Sequence, residues 1–450
     1  MYIAQQPKQA ILDDYARYVN PGRVSVFRMV GLDIVPGRRE GVWMWDVDGS
    51  RRLLNCRCSG GVFNLGHRPP RVVQAVKAAL DEIDIGDHML LDEQRAALGK
   101  RLAGLTPGDI QYSTFSPGGA EAIDVAIKLA RAYTGRPGII SVNKGYHGHT
   151  GFALATGEDS FRGKFGPMPP GFSKVPFGDA EALAAEMNEE IAAVIVETIP
   201  ATAGMLIPAG DYYPRARRLC DQWGAQLIID EVQAGLGRTG RIWAIDEWNV
   251  VPDILVMGKG LSGAIYPMSA TCHRAHLDTF FQENPFIHLS SFGGAALGCV
   301  AALAMLDQIT EPGFLEHVRA MGDRFEAGFD GLKSRHEAVV GWRRRGLMIG
   351  FELTDARMGM AMSPVLAQNG VLAIFADHRP NTLQIMPPLI IQPEEVDFVL
   401  EALDRSLAFL SAHPEMLQMV SSVGAAAGLQ VYCRSKRLPC PAAARSPAQE

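Results

Sequence analysis

No stretch of the 450 residues approaches the roughly 18 consecutive apolar positions of a membrane-spanning helix. The opening Met1-Tyr2-Ile3-Ala4-Gln5-Gln6-Pro7-Lys8 also lacks the apolar core of a secretory leader, so no membrane partner is expected. Basic charge is not in excess. Forty-three Lys and Arg against 49 Asp and Glu leave a net charge of −6 without a long basic run, which gives no nucleic-acid footprint. Cysteine is sparse: Cys56, Cys58, Cys220, Cys272, Cys299, Cys433 and Cys440 show no C-x-x-C spacing, so neither a metal site nor a redox pair is expected. They read as reduced thiols, and the expected compartment is the cytoplasm. At 47% hydrophobic and 20% charged residues the chain is not disordered, and its length suggests two or three domains without internal repeats.

Short apolar runs recur through the middle of the chain: Ile139–Val142, Ala193–Val196, Leu227–Ile229 and Ile254–Met257. Helical patterns separate them. Over Glu121–Tyr133 the charges Glu121, Asp124, Lys128 and Arg131 recur every three or four residues, acids first and bases last, before Gly135 and Pro137 stop the helix. This alternation predicts an α/β domain with a mostly parallel, doubly covered sheet. A long helix over Gly313–Ser334, short strands such as Leu347–Leu353 and a helix over Glu394–Phe409 then predict a smaller α+β domain. The expected organisation is an N-terminal segment (1–60) packing with the small domain, a large domain (61–310), a small C-terminal domain (311–415) and a loose tail (416–450).

In an open α/β sheet, ligands gather outside the carboxyl ends of the strands. Four runs end there in reactive or polar residues: Asn143-Lys144-Gly145-Tyr146-His147-Gly148, Glu197, Asp230-Glu231-Val232-Gln233 and Gly258-Lys259-Gly260. Lys259, flanked by glycines after a buried strand, can be desolvated into a Schiff-base nucleophile. Asp230 can keep a heterocyclic nitrogen protonated, as a pyridinium electron sink requires, and Tyr146 can stack on that ring. Ser116-Pro117-Gly118-Gly119-Ala120 opens the helix near Glu121 and offers unobstructed N–H groups to a phosphate.

Taken singly, each residue has a plainer reading. Asp230 reads equally well as a helix cap or ion-pair member, the lysine as a surface residue, Tyr146 as packing, and Gly118-Gly119 as a tight turn. Their joint order along the chain is what distinguishes them. Gly235-Leu236-Gly237-Arg238-Thr239-Gly240 matches G-x-G-x-x-G, but it starts six residues after its strand and leads into no phosphate-binding helix. Lys259 lacks the Ser or Thr that follows the lysine of a nucleotide phosphate loop.

From about Asn20 to about Phe409 the chain resembles the class III aminotransferases, pyridoxal-phosphate enzymes of fold type I. The stretch Ile229–Gly240, with Pro252-Asp253-Ile254 and Met257-Gly258-Lys259-Gly260-Leu261, is the most specific part of that likeness. Gly61-Val62-Phe63-Asn64-Leu65-Gly66-His67, Phe161–Phe165, Val175–Gly178, Asn284-Pro285-Phe286 and Ser291–Gly294 look closest to the putrescine aminotransferase branch. The resemblance implies that Lys259 carries the cofactor and shuttles the proton. It also implies that Asp230 holds the pyridinium proton, Tyr146 and Val232 flank the ring, Gln233 lies near its phenolic oxygen, and Glu197 supports the pocket. Gly119 and Ala120 would donate to the phosphate, and Ser291, where the family usually has Thr, would reach the phosphate of a neighbouring subunit in a homodimer with shared active sites. Phe63 becomes a candidate substrate contact.

Two departures bear on specificity. Before Pro387-Pro388-Leu389, where most members carry an arginine that grips an α-carboxylate, this chain has Gln384. Thr202 stands where the family often has the Glu that parks that arginine. An amide cannot replace a bidentate guanidinium–carboxylate pair. 2-Oxoglutarate is therefore not expected to be handled in the standard way, and Arg379, in the loop Ala376–Pro380, is a candidate mobile clamp beside its plainer reading as a surface residue. The resemblance implies transfer of an amino group between a primary amine, diamine or ω-amino compound, or an aldehyde in reverse, and a carbonyl acceptor by a ping-pong route. A racemase, epimerase or decarboxylase on the same scaffold is the alternative, and a non-enzymatic binding protein is a third reading.

Overall fold

The computed structural model describes residues 6–417, so the expected tail lies outside the described residues from 418 onward. A seven-stranded sheet forms the centre, in the order Ile110–Ser116, Ser269–Arg274, Ile254–Met257, Gln226–Asp230, Ile191–Glu197, Gly138–Val142, Phe172–Val175. Ser269–Arg274 runs antiparallel to both its neighbours, and the other adjacent pairs are parallel. Gly138–Val142, Ile191–Glu197, Gln226–Asp230 and Ile254–Met257 are buried along their whole length. This is why they read as continuous apolar runs rather than alternating ones: helices cover both faces.

The helix Gly119–Thr134 buries Ala122, Ile123, Ala126, Ile127 and Ala130 against this sheet. Gly135, at φ 70°, ends it in the left-handed conformation that favours glycine. At its other end Gly118 is the cap and supplies no side chain to the first N–H groups.

The second region holds the helices Phe314–Arg335 and Pro393–Ala412 over an antiparallel sheet ordered Val339–Arg345, Met348–Leu353, Arg379–Ile385, Ile374–Ala376. Pro393–Ala412 begins with a capping box between Gln392 and Glu395 and runs past Phe409 because Leu410 still packs into the core. A third sheet joins Pro36–Glu40, Trp43–Asp46 and Arg52–Asn55 to Val371–Leu372, the last pair in parallel. The fold is α/β, with a mostly parallel central sheet and a separate small-sheet region.

Residues 235–240 form tight turns and lead to the short 3₁₀ turn Ala244–Trp248, not to a phosphate-binding helix. Their most consequential member is Arg238, which is fully buried. It donates to the carbonyls of Pro387 (2.6 Å) and Leu347 (3.1 Å) and to Asn64 Oδ1 (2.7 Å), so one guanidinium ties three distant parts of the chain together. Arg238→Ala leaves three acceptors without this donor. It is expected to destabilise the protein by about 3 kcal/mol, read as a lower denaturant midpoint; an unchanged midpoint would refute this role.

Candidate active site

Glu197 and Asp230 end adjacent parallel strands and face each other in register, and Asp230 is in turn opposite Val256. The next strand end runs directly into Gly258-Lys259. Sheet geometry alone therefore gathers two carboxylates and the lysine.

Asp230 is buried, and both its oxygens are engaged. Oδ1 accepts from the Val232 N–H at 2.9 Å, and Oδ2 lies 2.7 Å from His147 Nδ1. A carboxylate can only accept, so this contact places the imidazole proton on Nδ1. Burial disfavours charge on His147, but the hydrogen bond and charge of Asp230, with the charge of Glu197, raise its pKa overall. Its Nε2 is buried without a partner.

Glu197 Oε1 accepts the Tyr146 N–H at 2.7 Å, which fixes the turn that presents the Tyr146 ring. Burial raises the Glu197 carboxyl pKa, His147 opposes that shift, and the Asp230 charge adds to it. The Tyr146 ring is half-buried and meets His149 and Phe161 edge-on, with centroids 5.3 and 5.6 Å away.

Lys259 Nζ donates to Gln233 Oε1 at 2.8 Å, and Gln233 Nε2 is held by Met386 Sδ at 3.3 Å. The Lys259 backbone is left-handed at φ 46°, a conformation that costs a non-glycine residue about 1–3 kcal/mol and persists only where its surroundings impose it. Burial lowers the ammonium pKa, Asp230 and Glu197 hold it up, and the Arg57 guanidinium lowers it further. Two glycines make room for this residue. A β-carbon at Gly60 would lie 3.0 Å from Nζ, and one at Gly258 would lie 3.2 Å from Ser269 Cβ.

The same close packing sets the start of the helix Gly119–Thr134 beside the lysine turn. Gly119 is so near that a β-carbon there would lie 3.0 Å from Val232 Cγ1, and one at Gly258 would be 3.6 Å from Gly119 Cα. Ser116 Oγ, just before this helix start, is buried without a partner. An uncapped helix N-terminus, glycine-lined and beside an unpaired hydroxyl, suits a phosphate. A buried carboxylate, a half-buried aromatic ring and a desolvated lysine suit the pyridine ring and aldehyde of pyridoxal phosphate.

The other candidates Thr202, Arg379, Gln384 and Phe63 are held by partners of their own. Thr202 Oγ1 donates to the Lys144 carbonyl (2.9 Å), and the Thr202 carbonyl accepts the His378 N–H (2.9 Å). Arg379 pairs with Glu352 (2.6 Å), which Arg343 also grips (2.7 Å). Gln384 is buried within the small sheet, its amide turned to the Phe375 carbonyl (3.4 Å). Phe63 packs on His67, centroids 4.2 Å apart. Ser291 is exposed.

Sequence reasoning passed over His147, although it stands next to Tyr146 in the turn already singled out. It also grouped Glu231 with Asp230. Alternation along an extended backbone turns Glu231 the other way, where it accepts from Thr198 Oγ1 (2.6 Å) and the Ile245 N–H (2.8 Å).

A parallel-stranded core with a strand-end lysine and a strand-end carboxylate beside a glycine-lined helix start defines a pyridoxal-phosphate enzyme of fold type I. The chain matches the aminotransferase class-III family profile over residues 28–407 and belongs to that family, whose cofactor is pyridoxal phosphate. It is 48% identical over 419 residues to an uncharacterized aminotransferase of Archaeoglobus fulgidus, covering 93% of this chain and 99% of that one. Among solved structures it is similar to an ornithine aminotransferase from Toxoplasma gondii (TM-score 0.83, 26% identity, 90% of this chain and 96% of that one). It is also similar to a PLP-bound amine transaminase from an uncultivated Pseudomonas species (TM-score 0.77, 26% identity, 84% of this chain and 95% of that one).

Because Glu197 props up the Lys259 pKa, Glu197→Gln is expected to free the amine at lower pH. The midpoint for capture of added pyridoxal phosphate by the apoenzyme, followed by absorbance, should fall by about one pH unit. A midpoint that moves upward contradicts this electrostatic account.

Proposed function

We propose that this aminotransferase moves an amino group between a primary amine, diamine or ω-amino compound, or an aldehyde in the reverse direction, and a carbonyl acceptor other than 2-oxoglutarate. The observation that carries the reading is Gln384. At the position of the family's carboxylate-gripping arginine there is a neutral amide, and it is already engaged with the Phe375 carbonyl. Thr202, at the position of the acid that would park such an arginine, is likewise engaged, with the Lys144 carbonyl. The likeness of residues 61–67 and 161–165 to the putrescine branch supports the amine side of the reading.

In this proposal Asp230 would hold the proton on the cofactor's ring nitrogen, with His147 fixing that carboxylate through its 2.7 Å contact. Tyr146 and Val232 would flank the ring, Gln233 would lie by its phenolic oxygen, and the N–H groups of Gly119 and Ala120 would receive the phosphate. When bound, pyridoxal phosphate supplies an electron sink for the pair released at the amine-bearing carbon. Lys259 Nζ takes the proton from that carbon and returns it. Its lowered pKa supports this, because a general base needs its free form near the working pH.

We further propose a homodimer in which Ser291 reaches the partner's phosphate site. Ser291 lies in an exposed segment with Phe286, Ile287, Leu289 and Phe292, which are 49–65% exposed and form an apolar surface suited to a subunit contact. Racemase, epimerase and decarboxylase readings are not favoured, since the similar proteins above are named aminotransferases.

Holoenzyme is expected to transaminate members of an amine panel with pyruvate at a kcat/KM about 10-fold or more above that with 2-oxoglutarate, the factor a missing charge-assisted pair commands. Lys259→Ala should cost at least about 10²–10⁴-fold in rate. A preference for 2-oxoglutarate that disappears when Gln384 is changed, or product forming without any carbonyl acceptor, would overturn the proposal.

A further inference from the structure

Beside the lysine, a cavity of about 670 Å³ opens between the N-terminal segment and the small-sheet region. Arg23, Arg39, Arg57, His67, Phe63 and Asp377 all line it. One residue of the chain separates its wall from Lys259. Ser59 is on its wall, and the next residue, Gly60, comes so close to Lys259 Nζ that a β-carbon there would stand 3.0 Å away. Arg57 is in the same turn, its carbonyl accepting the Gly60 N–H at 3.0 Å.

The cavity's charge is one-sided. Among the described residues, none of Arg23, Arg39 and Arg57 has a carboxylate within ion-pairing distance, whereas Arg28, Arg38 and Arg51 of the same segment do. His67 adds no charge, since burial and the nearby Arg39 pull its pKa down to about 4. Asp377 is the single acid on the wall, against three guanidinium groups. Phe27, Ile34 and Leu372 make part of the remaining wall apolar, with Asn55, Ser59 and Ser363 as uncharged polar members. Arg57 is the arginine whose charge reaches both Lys259 and Asp377. Such a chamber favours an apolar chain ending in an anion and penalises one ending in a second ammonium.

We infer that Arg57 receives the acidic group at the far end of the amino donor, so that the preferred donors are ω-amino acids, carboxylate or sulfonate, rather than diamines. This rests on the aminotransferase reading above and narrows it: Arg57 supplies, from the cavity wall, a positive charge that Gln384 does not. Arg57 is a specificity residue that takes no part in proton transfer.

The test compares holoenzyme and its Arg57→Gln, Arg57→Lys and Asp377→Asn variants. Donors of matched length are 5-aminopentanoate, 4-aminobutane-1-sulfonate, 1-aminopentane and 1,5-diaminopentane, each with pyruvate. Wild-type kcat/KM should be highest for the two acids and lowest for the diamine. In Arg57→Gln the ratio of acid to neutral amine should fall about 10- to 100-fold, the span of one charge-assisted pair, mainly through KM. Arg57→Lys should recover part of that ratio, and Asp377→Asn should raise it. The carboxylate and sulfonate arms show which acid the cavity prefers. Calorimetric titration with pentanoate, which has no amine to transfer, gives an independent readout: binding to wild type, weakened by the same factor in Arg57→Gln. If no donor is turned over, the functional reading fails while pentanoate binding still decides the role of Arg57. A wild type that prefers the diamine or the neutral amine overturns the inference, as does an Arg57→Gln variant with an unchanged ratio and unchanged pentanoate binding.

Discussion

A carboxylate at the end of a buried strand is tolerated only if its charge is matched, and the contact between Asp230 and His147 does the matching here. Without the imidazole, Asp230 would be left with a single backbone N–H as partner. The turn that brings His147 to it also brings Tyr146, whose own N–H is fixed by Glu197 from the neighbouring strand. One buried ion pair therefore sets the aromatic ring, the second carboxylate and, through their combined charge, the protonation of Lys259. These groups act as a unit, so the roles of Glu197 and His147 are better described through Asp230 than as separate contributions.

Much of this was legible in the sequence because the sheet obeys a simple rule. Strands buried on both faces must be apolar throughout, so the first polar residue after each run marks a carboxyl end. Glu197, Asp230 and Lys259 stood out for that reason, and the helix Gly119–Thr134 for its ordered charges and its glycine stop. His147 and Glu231 were harder. Each sits next to a residue already singled out, and only backbone direction decides which neighbour faces the site. Arg57 and Arg238 carried no local signal. The first lines a cavity assembled from distant parts of the chain, and the second binds acceptors at Asn64, Leu347 and Pro387. The departure at Gln384 was visible only against the family pattern, and the hydrogen bond that occupies its amide was not visible at all.

The proposed substrate side of the site is thus built differently from the proposed cofactor side. The residues proposed to contact the cofactor follow the strand ends of one sheet, where register fixes position. The cavity draws on a helix near residue 23, the turn at residues 57–60 and the loop at residue 377, which belong to separate elements. Selectivity can change by substitution on these walls without disturbing the buried ion pair, which is how one scaffold can serve many amine donors.

The third sheet has a consequence for the order of assembly. Arg52–Asn55 finds its parallel partner only at Val371–Leu372, and Trp43 Nε1 reaches Glu395 at 3.1 Å. During synthesis the first strands leave the ribosome long before the strand that covers their open edge, so the N-terminal hairpin must wait while the central sheet forms. The cavity wall it carries is therefore completed only after the small-sheet region has been made, as is the setting of Lys259, whose partner Gln233 leans on Met386.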